Sequence, residues 1–137
     1  MRVLKSLTIS IALALPTVAA GQSTTFSPSR FSGAADFQAY CASCHGPAAK
    51  GDGVIATSLV KRPPDLTRLA KRHGDEFPAE RVFTMIEGRS PGASHRAPDM
   101  PVWGDVFAKA AESAGPEAAA ARITALVKYL EMIQEKP

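Results

Sequence analysis

Cysteine is scarce in this chain: Cys41 and Cys44 are the only two among 137 residues. A structural zinc site usually has four protein ligands, and neither His73 nor His95 has zinc-finger spacing relative to the two cysteines. A thioredoxin-like redox pair would stand next to a βαβ pattern, which this sequence lacks. The sequence therefore offers little support for a zinc finger or a thiol oxidoreductase.

Long hydrophobic runs are also missing. A transmembrane helix needs about 20 apolar residues, whereas the apolar stretch at residues 7–15 is shorter and is followed by Pro16. Two basic residues precede this stretch and small residues follow it up to Ala20, a pattern typical of a secretory signal peptide. We therefore expect residues 1–20 to be a signal peptide. We expect no stable membrane insertion, and a periplasmic location.

A large excess of charge of either sign is absent as well. The formal net charge of +3 includes Arg2 and Lys5 of the predicted signal peptide, and without them it falls to +1. A nucleic-acid-binding domain usually carries a marked basic excess on one face or along one helix. We expect no nucleic-acid partner.

The length predicts a single domain. Removal of residues 1–20 leaves 117 of the 137 residues, which is enough for one domain. Residues 21–31 are rich in serine, threonine and proline, so we expect a flexible N-terminus there. The domain itself is expected at residues 32–137.

The most informative stretch is Cys41-Ala42-Ser43-Cys44-His45. This CxxCH spacing is typical of covalent attachment of a c-type haem. On a helix the three side chains project from one face, so both thiols can form thioether bonds while the imidazole reaches the iron. We predict one haem c, covalent through Cys41 and Cys44, with His45 as an iron ligand. A structural disulfide or another metal site is the alternative.

Apolar residues recur at helical spacing, and no stretch alternates for long enough to predict a sheet. A first helix is expected from Ser32 to about His45, and a last one from Glu117 to about Glu135. Shorter helices are expected at residues 65–74, 78–88 and 102–113, with loops at 46–64 and 89–101. The predicted fold class is all-α, and a bound haem would complete a small core.

The sixth iron ligand has four candidates, Met85, His95, Met100 and Met132. Met85 and Met132 fall within predicted helices at or beside core spacing, where methionine usually serves packing. Met100 stands before Pro101 in an irregular segment, so we predict Met100 as the ligand, with His95 as the alternative. A thioether ligand raises the reduction potential, whereas a second imidazole lowers it.

With these residues placed, the sequence resembles a class I c-type cytochrome, a monohaem, His/Met-ligated, periplasmic electron carrier, over about residues 31–134. Besides the haem motif, the matching features are Gly33 and Phe37 in the first helix, Lys50-Gly51-Asp52-Gly53, Pro64-Asp65-Leu66, Met100-Pro101 and Tyr129-Leu130. The insert around residues 89–97 departs from the family pattern. The resemblance therefore covers the whole predicted domain.

The resemblance implies a small cytochrome c fold, with several short helices around one haem and the terminal helices packed on each other. It implies that His45 donates to the carbonyl of Pro63 or Pro64. It also implies electron transfer between Fe(III) and Fe(II) with transient redox protein partners and no enzymatic activity. Two other functions stay open: the cytochrome subunit of a larger periplasmic dehydrogenase or oxidase complex, and a haem enzyme with a labile sixth ligand.

Two further features have two interpretations each. Trp103 could cover the haem edge or serve core packing. A basic cluster consists of Lys61, Arg62, Arg68, Lys71 and Arg72. This cluster could steer an acidic redox partner towards the haem edge, or it could simply form a solvated face.

Overall fold

The computed structural model describes residues 31–88, 100–110 and 115–136. Its α-helices are α1 (Gly33–Asp36), α2 (Ala42–His45), α3 (Ala79–Glu87), α4 (Trp103–Lys109) and α5 (Pro116–Met132). A π-helical turn, Phe37–Cys41, joins α1 to α2, and short 3₁₀ turns lie at Ala56–Ser58, Leu66–Arg68 and Lys71–His73. No strand occurs in these three segments. The predicted all-α fold class is confirmed.

Several predictions fall on other parts of the chain. The predicted signal peptide at residues 1–20, almost all of the predicted N-terminus at 21–31, the insert at 89–97 and His95 lie outside the described residues. Within the described part, no helix has the length and apolar character needed to cross a membrane.

The first helix begins and ends close to the predicted positions. Ser32 is its N-cap, and the Ser32 hydroxyl accepts a hydrogen bond from the Ala35 N–H at 3.2 Å. The helix is not a regular α-helix throughout, because the Ala42 N–H donates to the Phe37 carbonyl five residues back. Such π-helical turns are frequent at functional sites, and this one ends at Cys41, the first residue of the haem motif.

The terminal helices α1 and α5 pack directly on each other. Gly33 is buried at their crossing, where a Cβ atom would collide with the carbonyl of Ala125 and lie 2.9 Å from the Cβ of Tyr129. The rings of Phe37 and Tyr129 also pack against each other, with their centroids 5.4 Å apart. The crossing therefore needs glycine at position 33 and positions the haem motif that follows it.

The hydrophobic core lies between the first helix, α3, α4 and α5. Its largest fully buried side chains are Phe37, Phe107, Ile123 and Leu126. The helical periodicity predicted for the last helix is confirmed for Ile123, Leu126, Val127 and Leu130, which are all buried on α5.

The end of α5 differs from the prediction. The helix ends at Met132 rather than near Glu135. The Gln134 side chain folds back, accepting from the Ala70 N–H at 2.9 Å and donating to the Leu66 carbonyl at 2.8 Å. The Glu135 N–H donates to the Thr67 carbonyl at 2.7 Å. These tertiary hydrogen bonds replace the ones a continued helix would form.

A buried ion pair also joins the terminal helices. Arg122 of α5 is only 4% exposed and donates to both carboxylate oxygens of Asp36, at 2.8 and 2.6 Å. Its guanidinium carbon lies 4.6 Å from the ring centroid of Phe107 and 5.0 Å from that of Tyr40. The hydrogen bonds to Asp36 raise the pKa of Arg122. The guanidinium is therefore held between a carboxylate and two aromatic rings.

Candidate haem site

A cavity of about 360 Å³ lies between the first helix, the loop before residue 66, α3, the segment around residue 100 and α5. The predicted site residues Cys41, Cys44, His45 and Met100 all line it. Most of the other lining side chains are aliphatic, aromatic or proline. The structure thus brings together, around one mainly apolar space, four predicted site residues that are up to 59 positions apart in the sequence.

The two cysteines lie on consecutive parts of the first helix. Cys41 ends the π-helical turn, and Cys44 lies on α2. Both thiols are free, so the two cysteines do not form the disulfide that was the alternative to haem attachment. Burial, together with the nearby Asp36 carboxylate and Cys44, raises the pKa of the Cys41 thiol to about 12. A thiol held in its protonated form is poorly suited to a redox pair or a thiolate metal site.

His45 is the last residue of α2, and its imidazole is largely enclosed. Burial lowers its pKa, whereas an interaction with the Pro64 backbone acts in the opposite direction. The Nδ1 atom is buried and has no hydrogen bond of good geometry to any described group. A neutral imidazole has a lone pair for a metal ion. The resemblance implies that His45 donates to the carbonyl of Pro63 or Pro64, and the interaction in this structure is with Pro64.

The glycine-rich loop links His45 to this proline segment. The Gly51 N–H donates to the His45 carbonyl at 2.8 Å, and the Leu66 N–H donates to the Ala49 carbonyl at 2.8 Å. Gly51 has a φ of +77°, and a Cβ atom there would collide with the Pro63 carbonyl. Gly51 therefore fixes how closely the proline segment approaches the imidazole.

We expect Gly51→Ala to lower the free energy of unfolding by about 3 kcal/mol, through a strained φ and a displaced Pro63. Gly74→Ala is the matched control, because Gly74 has a similar φ of +74° but no atom within 4 Å of the added Cβ. It should cost only about 1 kcal/mol. Denaturant unfolding of both variants checks this, and equal losses would show that the contact with Pro63 contributes nothing.

The structure narrows the candidates for the sixth ligand. Met132 is 76% exposed and does not line the cavity. Met100 is half-buried and lines it, but so does Met85 of α3, which the sequence assigned to packing. The helical spacing placed Met85 beside the core stripe but could not show that this side of α3 faces a cavity. His95 lies outside the described residues.

The position of Trp103 is compatible with both roles that the sequence suggested. It lines the cavity, and it also belongs to an aromatic cluster, with ring centroids 5.5 Å from Phe107 and 5.8 Å from Tyr40. Since Tyr40 lines the cavity too, this cluster connects the cavity wall to the buried ion pair.

The predicted basic cluster does not act as one surface. Arg68 pairs with Glu135 at 3.5 Å, and Arg72 donates to the Asp65 carbonyl at 2.6 Å, so both hold the chain's own elements together. Lys61 and Arg62 instead line the cavity, as does Arg81, which the sequence analysis did not single out. Of the five residues in the predicted basic cluster, only Lys61 and Arg62 therefore line the cavity.

The residues of the cavity fit a covalently bound haem. They provide two free thiols at CxxCH spacing, a buried imidazole with an unpaired nitrogen, and mostly apolar walls. A small all-α fold whose first and last helices cross beside such a cavity defines the class of the c-type cytochromes.

The comparisons with known proteins agree with this class. The family model described as cytochrome c oxidase, cbb3-type, subunit III matches residues 31–130. The chain belongs to this cytochrome c family, and haem-based electron transfer with haem c as the cofactor follows from that membership. Searches of curated proteins and of solved structures gave no match.

Proposed function

We propose that this chain is a periplasmic electron-transfer protein with a single haem c, covalent through Cys41 and Cys44 and ligated by His45 and Met100. The observation that carries the proposal is the convergence of these four residues on one mainly apolar cavity. When bound, the haem supplies the Fe(III)/Fe(II) couple. The signal-peptide pattern of residues 1–20 supports export. The predicted cleavage would then remove these residues.

The chain's own residues would hold the cofactor, exclude water from it and set its potential. Cys41 and Cys44 would fix its position, and His45 is kept neutral by burial. Leu126 and Leu130 of α5 and Val82 and Ile86 of α3 close the apolar walls. Apolar surroundings and a thioether ligand both favour the less charged ferrous state. If His45 and Met100 both ligate the iron, no ligand position would remain for a substrate, so we propose a carrier rather than an enzyme.

A second function is favoured by the family description, which names an oxidase subunit. In this proposal the same domain passes electrons within a larger complex instead of diffusing between partners. Purification of the native protein under mild conditions distinguishes the two. A carrier should elute at the size of one haem-loaded chain, whereas a subunit should co-purify with a catalytic partner.

The mass of the denatured protein tests covalent attachment. After production in a bacterium that matures c-type cytochromes, the mass should equal that of the chain without residues 1–20 plus one haem. Cys41→Ala and Cys44→Ala should each leave at most one thioether bond, and the double variant should bind no haem covalently. Pigment that acidified organic solvent extracts from the unaltered protein would refute covalent attachment.

A further inference from the structure

The most exposed apolar side chains near the haem motif lie on residues 54–60, named here the valine loop. Val54 and Val60 are each 88% exposed, and Ile55 is 42% exposed. A single exposed apolar residue is ordinary on a protein surface. Three exposed apolar β-branched side chains within one seven-residue loop are a stronger indication of a contact surface.

The valine loop is firmly attached to the haem motif. The Ile55 N–H donates to the Ser43 carbonyl at 3.1 Å, and the Gly53 N–H donates to the Cys44 carbonyl at 3.2 Å. Ala56, between the two valines, is fully buried and begins a 3₁₀ turn. The loop thus presents its valines to solvent from a fixed position beside the Cys44 side of the cavity.

Cations border the valine loop where it meets the cavity. Lys61 and Arg62 follow Val60 directly, are exposed, and line the cavity. No aspartate or glutamate lies among the described residues that line it. An apolar patch is therefore bordered by positive charge on the side that faces the cofactor.

We propose that the valine loop, with Lys61 and Arg62, is the docking surface for an electron-transfer protein whose own apolar contact patch is bordered by carboxylates. This inference rests on the proposed function. The valines would bury apolar surface against the partner, and the two cations would select an acidic partner and accelerate its approach. A contact of this small size also permits the rapid release that a carrier needs.

Nuclear magnetic resonance can locate the surface. The haem-loaded, ¹⁵N-labelled protein is titrated with the soluble domain of cytochrome b5 as an acidic redox-protein probe. The largest amide shifts should fall within residues 53–62. Val54→Ser and Val60→Ser should each weaken binding about tenfold, and Arg62→Glu should weaken it and flatten its dependence on ionic strength.

Matched variants provide the controls. Met132→Ser removes another exposed apolar side chain, and Lys109→Glu reverses another exposed cation, neither of which lines the cavity. Both should leave probe binding unchanged. Shifts centred away from residues 53–62, or equal weakening by Met132→Ser, would overturn the proposal. So would a concentration-dependent dimer that Val60→Ser abolishes, because the loop would then bind a second copy of the chain.

The covalent mass and the reduction potential of every variant separate this inference from the proposed function. If the unaltered protein carries no covalent haem, the proposed function fails. If all variants carry haem at an unchanged potential and the valine variants still bind the probe normally, only the docking surface is wrong.

Discussion

Met100→Leu is expected to remove the sixth ligand, because leucine has no donor atom. The charge-transfer absorption typical of an iron–thioether bond should disappear, and the reduction potential should fall by on the order of 0.1 V. The reduced protein should then bind carbon monoxide. The fold should survive, since the two proposed thioether bonds and His45 would still hold the haem. Met100→His should keep six ligands at a lower potential.

Three further variants make this prediction decisive. Met132→Leu should change nothing, because Met132 lies outside the cavity. If Met85→Leu abolishes the absorption band while Met100→Leu leaves it intact, the ligand is Met85. If His95→Ala opens the iron to carbon monoxide instead, both axial ligands are histidines and the predicted potential is wrong.

Arg122→Met is expected to lower the free energy of unfolding by about 3–5 kcal/mol, because it leaves the Asp36 carboxylate buried without its partner. Asp36→Asn should be similarly costly, since it leaves the guanidinium without its counter-charge. The combined Asp36→Leu and Arg122→Met variant should recover much of the loss. Denaturant unfolding of the haem-loaded protein measures all three.

Arg68→Met is the matched control for this pair. Arg68 also pairs with a carboxylate, that of Glu135, but both side chains are about half exposed. An exposed pair of this kind contributes about 1 kcal/mol at most. If Arg122→Met is as mild as Arg68→Met, the buried pair does not stabilise the fold as proposed.

Local signals in the sequence predicted the elements that local chemistry controls. The helix start at Ser32, the helical turn that starts after Asp65 and the helix end at Gly88 follow from side-chain and backbone preferences within a few residues. The buried stripe of α5 follows from its periodicity. The haem motif is local in the same sense, because its chemistry depends on spacing alone.

Features that depend on distant contacts were missed. The π-helical turn at Phe37–Cys41 was not predicted, since apolar spacing at i and i+4 fits both kinds of turn. The ion pair joins residues 86 positions apart, yet one signal was present: Arg122 lies three residues after Ala119 and four before Leu126, on the apolar stripe of α5. A charged residue in that register needs a buried partner.

The hydrogen bonds from residues 134 and 135 to the segment at 66–70 have a consequence for the order of events during biogenesis. Leu66 and Leu69 line the cavity, and their segment is held in place by Gln134 and Glu135, which follow Cys44 by 90 and 91 positions in the chain. Cys41 and Cys44 therefore emerge long before this wall is fastened. If haem attaches at these cysteines as proposed, attachment can take place on an open chain, before residues 134 and 135 fasten the wall around the bound cofactor.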